Sequence, residues 1–129
     1  MIRPLTKILL AEDEPDIQEV AALALEAIGG FTVETCDSGS EVVAAARRFQ
    51  PDFIILDVMM PGMDGPTTLK TLRNTPGFET IPVVFLTAKA MKNEIESFIA
   101  MGAQGVITKP FDPETLPDQI LAIWNHHHE

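Results

Sequence analysis

The residues able to do chemistry stand at the ends of short apolar runs. Glu12 and Asp13 follow Ile8-Leu9-Leu10-Ala11, Asp57 closes Phe53-Ile54-Ile55-Leu56, Thr87 closes Val83-Val84-Phe85-Leu86, and Lys109 follows Gly105-Val106-Ile107-Thr108. Three carboxylates drawn together repel one another unless a cation sits among them. Hard oxygen ligands select Mg²⁺, Ca²⁺ or Mn²⁺, and Mg²⁺ typically takes one or two carboxylates, several waters and a phosphate oxygen. A phosphoryl group is then the natural second guest. With the charge neutralised, one aspartate can attack phosphorus and become an aspartyl phosphate. A lysine serves as a point charge on phosphate oxygen, and a threonine donates a hydrogen bond to it. Phosphoryl transfer needs little beyond such placement and charge stabilisation.

Taken singly, the same residues have ordinary explanations. Glu12, Asp13 or Glu14 suit the positive N-terminal end of the first helix, and Asp16 can cap it. Asp57 precedes the turn at Met60-Pro61-Gly62, and the Thr87 hydroxyl can cap the segment after its strand. Lys109 can be a solvated charge. None of these explanations predicts that four of five apolar runs deliver a polar group to one place. Whether they do depends on the elements that carry them.

Lys7–Ala11, Phe31–Cys36, Phe53–Asp57, Val83–Thr87 and Gly105–Thr108 read as strands, the third and fourth almost wholly apolar, as suits strands buried on both faces. Between them, Ile17, Val20, Ala21, Ala24 and Ile28 fall on one helical stripe with Glu19 and Glu26 opposite, stopped by Gly29-Gly30. Val42, Ala45, Ala46 and Phe49 make a second stripe ended by Pro51, and Leu69 and Leu72 a third between Pro66 and Pro76-Gly77. Ile95, Phe98 and Ile99 make the fourth; Ile120, Ile123 and Trp124 make the fifth, with regular helix expected from about Leu116 because Pro113 and Pro117 belong in a first turn. Five strands alternating with five helices predict an α/β fold: a five-stranded parallel sheet covered by helices on both faces, three layers in all. Ligands of such sheets lodge beyond the carboxyl ends of the strands, where strand order reverses. Asp57 ends the central strand, between Glu12-Asp13 and Thr87, and position therefore makes it the nucleophile. The flexible Pro61-Gly62 and Asp64-Gly65 let a backbone carbonyl near Met59 face the cation.

Composition narrows the classes further. The chain has 129 residues, 46% of them hydrophobic, enough for one domain. Its net charge of −10, from nine basic and nineteen acidic residues, repels nucleic-acid backbones and anionic membranes, so direct nucleic-acid binding is not expected. No apolar run approaches the roughly 18 residues of a membrane span, and the segment after Arg3 and Lys7 is too short for a signal peptide, so no membrane insertion is expected. Cys36 stands alone, without an intrachain disulfide partner, and a cytoplasmic location is expected. The domain is placed at residues 1–125. The His-rich end, His126 to Glu129, reads as a solvated tail or a cloning remnant rather than a metal site.

The sequence resembles the receiver domain of two-component response regulators, from about Lys7 to Trp124. The matching pieces are Leu10-Ala11-Glu12-Asp13-Glu14, Ile55 to Gly65, Pro82 to Ala88 and Thr108-Lys109-Pro110-Phe111. The resemblance implies a flavodoxin-like fold with strand order 2-1-3-4-5, an order for which the family's chemotaxis member is itself the type example. It implies that Asp57 accepts phosphate from a histidine kinase or phosphotransfer protein, and that Glu12, Asp13, Asp57 and the Met59 carbonyl hold Mg²⁺. Thr87 would swing toward the phosphoryl oxygen, Lys109 would pair with it, and the Lys109-Pro110 bond would be cis. The domain would catalyse its own phosphorylation and dephosphorylation as a signalling phosphoacceptor, not act as an enzyme on other substrates.

One position departs from the family. Three residues before the lysine, where the family places Tyr or Phe as a switch partner for Thr87, this chain has Val106. Phosphorylation should survive that change, while output through the fourth helix, fifth strand and fifth helix should be muted or use other groups. With no output domain in the sequence, the expected direct target is a downstream protein, with the chain a monomer or weak dimer; a shuttle in a phosphorelay fits the same features. Three rivals remain. A phosphatase of the haloacid dehalogenase kind wants a second acid two residues after Asp57, where Met59 stands. A flavodoxin-like flavin protein would need a phosphate loop that Glu12-Asp13-Glu14 would repel. The third is a receiver-like interaction module that never turns over phosphate; Asp57, Thr87 and Lys109 argue against it.

Overall fold

The computed structural model describes residues 4–88 and 91–128. Arg3 and Glu129, which entered the reading of the two termini, lie outside the described residues. Strands β1 (Lys7–Ala11), β2 (Thr32–Cys36), β3 (Phe53–Asp57), β4 (Val83–Thr87) and β5 (Gly105–Thr108) pair in the order β2-β1-β3-β4-β5. Every pairing is parallel, and register places Leu10 beside Ile55, Asp57 beside Leu86 and Thr87 beside Thr108. The apolar runs became strands as expected, with β2 starting at Thr32 in place of Phe31.

The sheet sorts its side chains by alternation. Leu9, Ala11, Ile54, Leu56, Val83 and Phe85 face one way, onto α2 (Val42–Phe49), α3 (Gly65–Arg73) and α4 (Lys92–Ala100). Ile8, Leu10, Phe53, Ile55, Val84 and Leu86 face the other, onto α1 (Pro15–Leu23) and α5 (Leu116–His127). Both β3 and β4 are buried along their whole length, which is why their sequences lack the apolar-polar alternation of a one-sided strand. Local chemistry sets the ends. The Asp64 carboxylate accepts the Thr67 N–H at 2.8 Å to cap α3, and α2 ends where Gln50 turns left-handed (φ 55°) ahead of Pro51.

Two helical stripes differ from the sequence expectation. Along α1 and the turn that continues it the buried residues are Ala21, Ala24 and Leu25, while Val20 and Ile28 are 44% and 57% exposed. Beyond Leu23 the helix widens into a π turn over Ala24–Ile28, and the changed residues-per-turn carry Ile28 away from Leu25 and off the buried side. In α4 only Phe98 is buried and Ile99 is 46% exposed, because this helix lies against the edge strand β5 and has less sheet to cover. Helix α5 starts at Leu116 as expected and continues into the His-rich end. There His128 donates from Nδ1 to the Trp124 carbonyl at 2.8 Å, with the two rings 3.9 Å apart.

Candidate functional site

Strand β1 does not stop cleanly at Ala11: the Glu12 N–H donates to the Cys36 carbonyl at 3.1 Å, carrying the pairing with β2 one residue on. That extension turns the Glu12 side chain inward and leaves Asp13 at the rim. Glu12 is completely buried and Asp57 nearly so at 3%, while Asp13 is exposed. One carboxylate oxygen from each of Glu12, Asp13 and Asp57 lies within 4.8 Å of the others. Thr87, 7% exposed, ends the neighbouring strand β4. Its carbonyl accepts the Lys109 N–H at 2.8 Å, which fixes where the lysine leaves β5, just before a cis Lys109-Pro110 bond.

The Lys109 ammonium is forked between the two buried acids. It lies 2.8 Å from Glu12 Oε2 and 3.0 Å from Asp57 Oδ2. The other oxygens turn to backbone: Glu12 Oε1 accepts the Glu14 N–H at 3.2 Å, and Asp57 Oδ1 accepts the Met59 N–H at 3.3 Å. The Met59 side chain itself is 77% exposed. Behind Asp57 the backbone is tight, since a Cβ on Gly65 would come within 2.6 Å of the Asp57 carbonyl oxygen and 3.0 Å of the Phe85 ring. Only glycine lets α3 begin that close to the end of β3. Val106 is half-buried, pairs with Phe85 in the sheet and packs on the core that holds Phe98.

Burial pushes the Glu12 carboxyl up to about 7, and nearby Asp57 adds to the rise; Lys109 and the Glu14 N–H oppose it without cancelling it. For Lys109, burial works to lower the ammonium's pKa, but Glu12 and Asp57 together outweigh burial and raise it above its ordinary value. Glu12 Oε2 meets the Lys109 ammonium at 2.8 Å, and among the described residues no backbone or neutral side-chain group donates to it. Three grouped carboxylates, two of them buried and sharing a single ammonium, form a hard-oxygen donor set that fits a divalent cation. Glu12, Asp13 and Asp57 are the side chains that would hold one.

A folded pKa above the unfolded value makes Glu12 stabilising below its ordinary 4.5, and that contribution is lost as pH rises through about 7. In metal-free buffer the fold should therefore lose on the order of 2 kcal/mol across that window. Urea denaturation of the unmutated chain and of Glu12→Gln at several pH values checks this. The Gln variant should lack this part of the slope, and excess Mg²⁺ should abolish it in the parent. A slope equal in both proteins would assign it to other groups.

Gln18 was not visible from the sequence as part of this site. From the second turn of α1 its Nε2 reaches the carbonyls of Glu12 (2.9 Å) and Cys36 (3.2 Å) and the Asp37 carboxylate (2.9 Å). A glutamine on the polar side of a helix gives no sequence signal for contacts with main-chain carbonyls.

The sequence profile of the response regulator receiver domain matches residues 8–121. The chain belongs to that family. It is 35% identical over 116 residues to the response regulator Rre1 of Synechocystis and 37% identical over 122 residues to the probable transcriptional regulatory protein TcrX of Mycobacterium tuberculosis. Those matches cover 90% and 94% of this chain but 50% of each relative, so the receiver spans about half the length of the curated relatives it matches. Among solved structures, the chemotaxis protein CheY4 of Vibrio cholerae superposes with a TM-score of 0.86 at 32% identity, covering 93% of this chain and 99% of that one. The signal receiver domain of a histidine kinase from Syntrophus aciditrophicus gives 0.81 at 32% identity, covering 94% and 91%. The receiver domain is a signalling module of two-component systems, of the kind that works with histidine kinases, rather than a classical enzyme. Family membership removes the dehalogenase-type and flavin-binding alternatives. Among the described residues no helix is long and apolar enough to cross a membrane.

Proposed function

We propose that this receiver takes a phosphoryl group on Asp57 from a histidine kinase or phosphotransfer protein, with Mg²⁺ held by Glu12, Asp13, Asp57 and the Met59 carbonyl. The observation that carries this reading is the Lys109 ammonium held within 3.0 Å of Asp57 beside a group of three carboxylates. A carboxylate oxygen of Asp57 attacks the phosphorus of the donor phosphohistidine; the new O–P bond forms as the P–N bond breaks and the imidazole leaves. The cation supplies neutralisation of the carboxylate and phosphoryl charges. Lys109 then transfers its ammonium contact from the carboxylates to a phosphoryl oxygen, and the Thr87 hydroxyl donates to another. Hydrolysis of the adduct resets the domain. A downstream protein reads the phosphorylated state; because Val106 has no ring to move, the readout through α4, β5 and α5 depends on groups other than an aromatic at that position.

Incubation with Mg²⁺ and acetyl phosphate should add the mass of one phosphoryl group to the intact protein, and Asp57→Ala should abolish the addition. An unshifted mass in the unmutated chain would favour an interaction module that never turns over phosphate.

A further inference from the structure

Glu12 and Asp13 sit on the segment between β1 and α1, and such a segment can hold two carboxylates in place only if its own backbone is held. The Glu12 carboxylate is fixed from within by Lys109 and the Glu14 N–H, but its carbonyl points the other way, toward α1 and β2. There it meets the Gln18 amide. One NH₂ group, with two protons, serves three acceptors from three segments: Glu12 O at 2.9 Å, Cys36 O at 3.2 Å and Asp37 Oδ1 at 2.9 Å. Gln18 itself is positioned by the first turn of α1, its N–H donating to the Glu14 carbonyl at 2.9 Å. The Cys36 carbonyl already accepts the Glu12 N–H at 3.1 Å, so Gln18 closes a small ring that includes both backbone polar groups of Glu12.

Resting on the reading of the site as a Mg²⁺ and phosphoryl site, we infer that Gln18 is a positioning residue for the metal-binding acids. It acts by clamping the Glu12 main chain to the end of β2. It touches neither the cation nor the phosphoryl group. Three acceptors, two carbonyls and a carboxylate, converge on one point, and without a donor there they repel one another. The loop would then relax outward and take Asp13, which is exposed and unburdened by packing, away from Asp57.

Three substitutions of similar length separate this from a general electrostatic or structural role. Gln18→Met keeps the shape and removes the donor; Gln18→Glu replaces the donor by a fourth acceptor; Gln18→Lys keeps a donor and adds a positive charge. Mg²⁺ alone is titrated into the full chain at fixed pH and ionic strength, followed by calorimetry and by amide shifts, with thermal melting in metal-free buffer alongside. The clamp predicts affinity close to the parent for Gln18→Lys, roughly tenfold weaker for Gln18→Met, as for other groups that orient metal ligands, and weaker still for Gln18→Glu.

Long-range charge predicts the reverse order, because the extra negative charge of Glu attracts Mg²⁺ and the Lys charge repels it. Affinities following that reverse order would overturn the inference. So would equal affinities accompanied only by lowered melting temperatures, the mark of a purely structural contact. A parent chain that fails to bind Mg²⁺ would overturn the reading of the site itself, an outcome distinct from either.

Discussion

Lys109→Ala should fold, yet in metal-free buffer at pH 8 it should be less stable than the parent by about 3 kcal/mol, with most of the deficit gone at pH 5. The parent ammonium lies 2.8 Å from Glu12 Oε2 and 3.0 Å from Asp57 Oδ2, with the Glu12 side chain fully buried and that of Asp57 5% exposed. Removing one partner of a buried pair leaves an uncompensated charge and typically costs about 3–5 kcal/mol. Here the charge left behind is negative and can be discharged by a proton. Glu12 already titrates near 7 with the lysine present, and losing the lysine raises it further. The penalty is therefore largest where both acids must ionise and smallest where Glu12 stays protonated. Excess Mg²⁺ should recover most of it at pH 8, since a divalent cation among the three carboxylates replaces the missing positive charge. Urea denaturation at pH 5 and pH 8, each with and without Mg²⁺, gives the four numbers needed. A deficit independent of both pH and metal would mean that Lys109 contributes through packing of its alkyl stem.

The same variant tests function. If Lys109 passes from the carboxylates to the phosphoryl oxygen, Lys109→Ala should accept phosphate at Asp57 yet fail to spread the change. Amide shifts on adding a phosphate mimic should then stay near Asp57 and no longer reach β4 and β5. An unaltered shift pattern would argue against that contact.

Much of this site is written in the sequence for one physical reason. Buried parallel strands have to be apolar on both faces, so the first polar residue after each run marks its carboxyl end. Asp57 after Phe53-Ile54-Ile55-Leu56 and Thr87 after Val83-Val84-Phe85-Leu86 are found that way, and so are the strand bounds. The difference between Glu12 and Asp13 is not found that way. Adjacent acids look equivalent until the Glu12 N–H is seen to continue the pairing with β2, which buries one side chain and exposes the other. Contacts made to main-chain carbonyls, such as those of Gln18, leave no pattern in residue types. At Ile28 the stripe departs for a related reason: periodicity assumes one helical pitch throughout, and the π turn at Ala24–Ile28 breaks that assumption. Histidines in a row carry no signal of what the end of α5 touches. Its packing onto Trp124 depends on three-dimensional reach that composition does not encode.

Gly39→Ala should be the most disruptive glycine-to-alanine change in this domain, lowering stability by about 3 kcal/mol, at the upper end of what overpacking costs. Gly39 opens a 3₁₀ turn, Gly39–Glu41, between β2 and α2, and it is buried against the loop after β3. A Cβ there would collide with the Met63 carbonyl oxygen and with Thr68 Oγ1. Neither neighbour can yield easily. The Thr68 hydroxyl donates to the Asp64 carbonyl at 2.7 Å, and Met63 immediately precedes Asp64, whose carboxylate caps α3. The added methyl must therefore displace the Met63–Asp64 backbone, the hydrogen-bonded first turn of α3, or the 3₁₀ turn itself. Since Gly65 holds that same first turn against the Asp57 carbonyl, the displacement should reach the end of β3 as well. Thermal melting should drop by roughly 10 °C, as about 3 kcal/mol implies for a chain of this size, and Mg²⁺ affinity should fall with it. Gly77→Ala is the control. Its φ of 95° strains an alanine, but nothing lies within 4 Å of the new Cβ, so its cost should stay within that of backbone strain, about 1–2 kcal/mol, and leave Mg²⁺ binding unchanged. If Gly39→Ala melts no lower than Gly77→Ala, the β2–α2 turn is looser against the α3 cap than these contacts require.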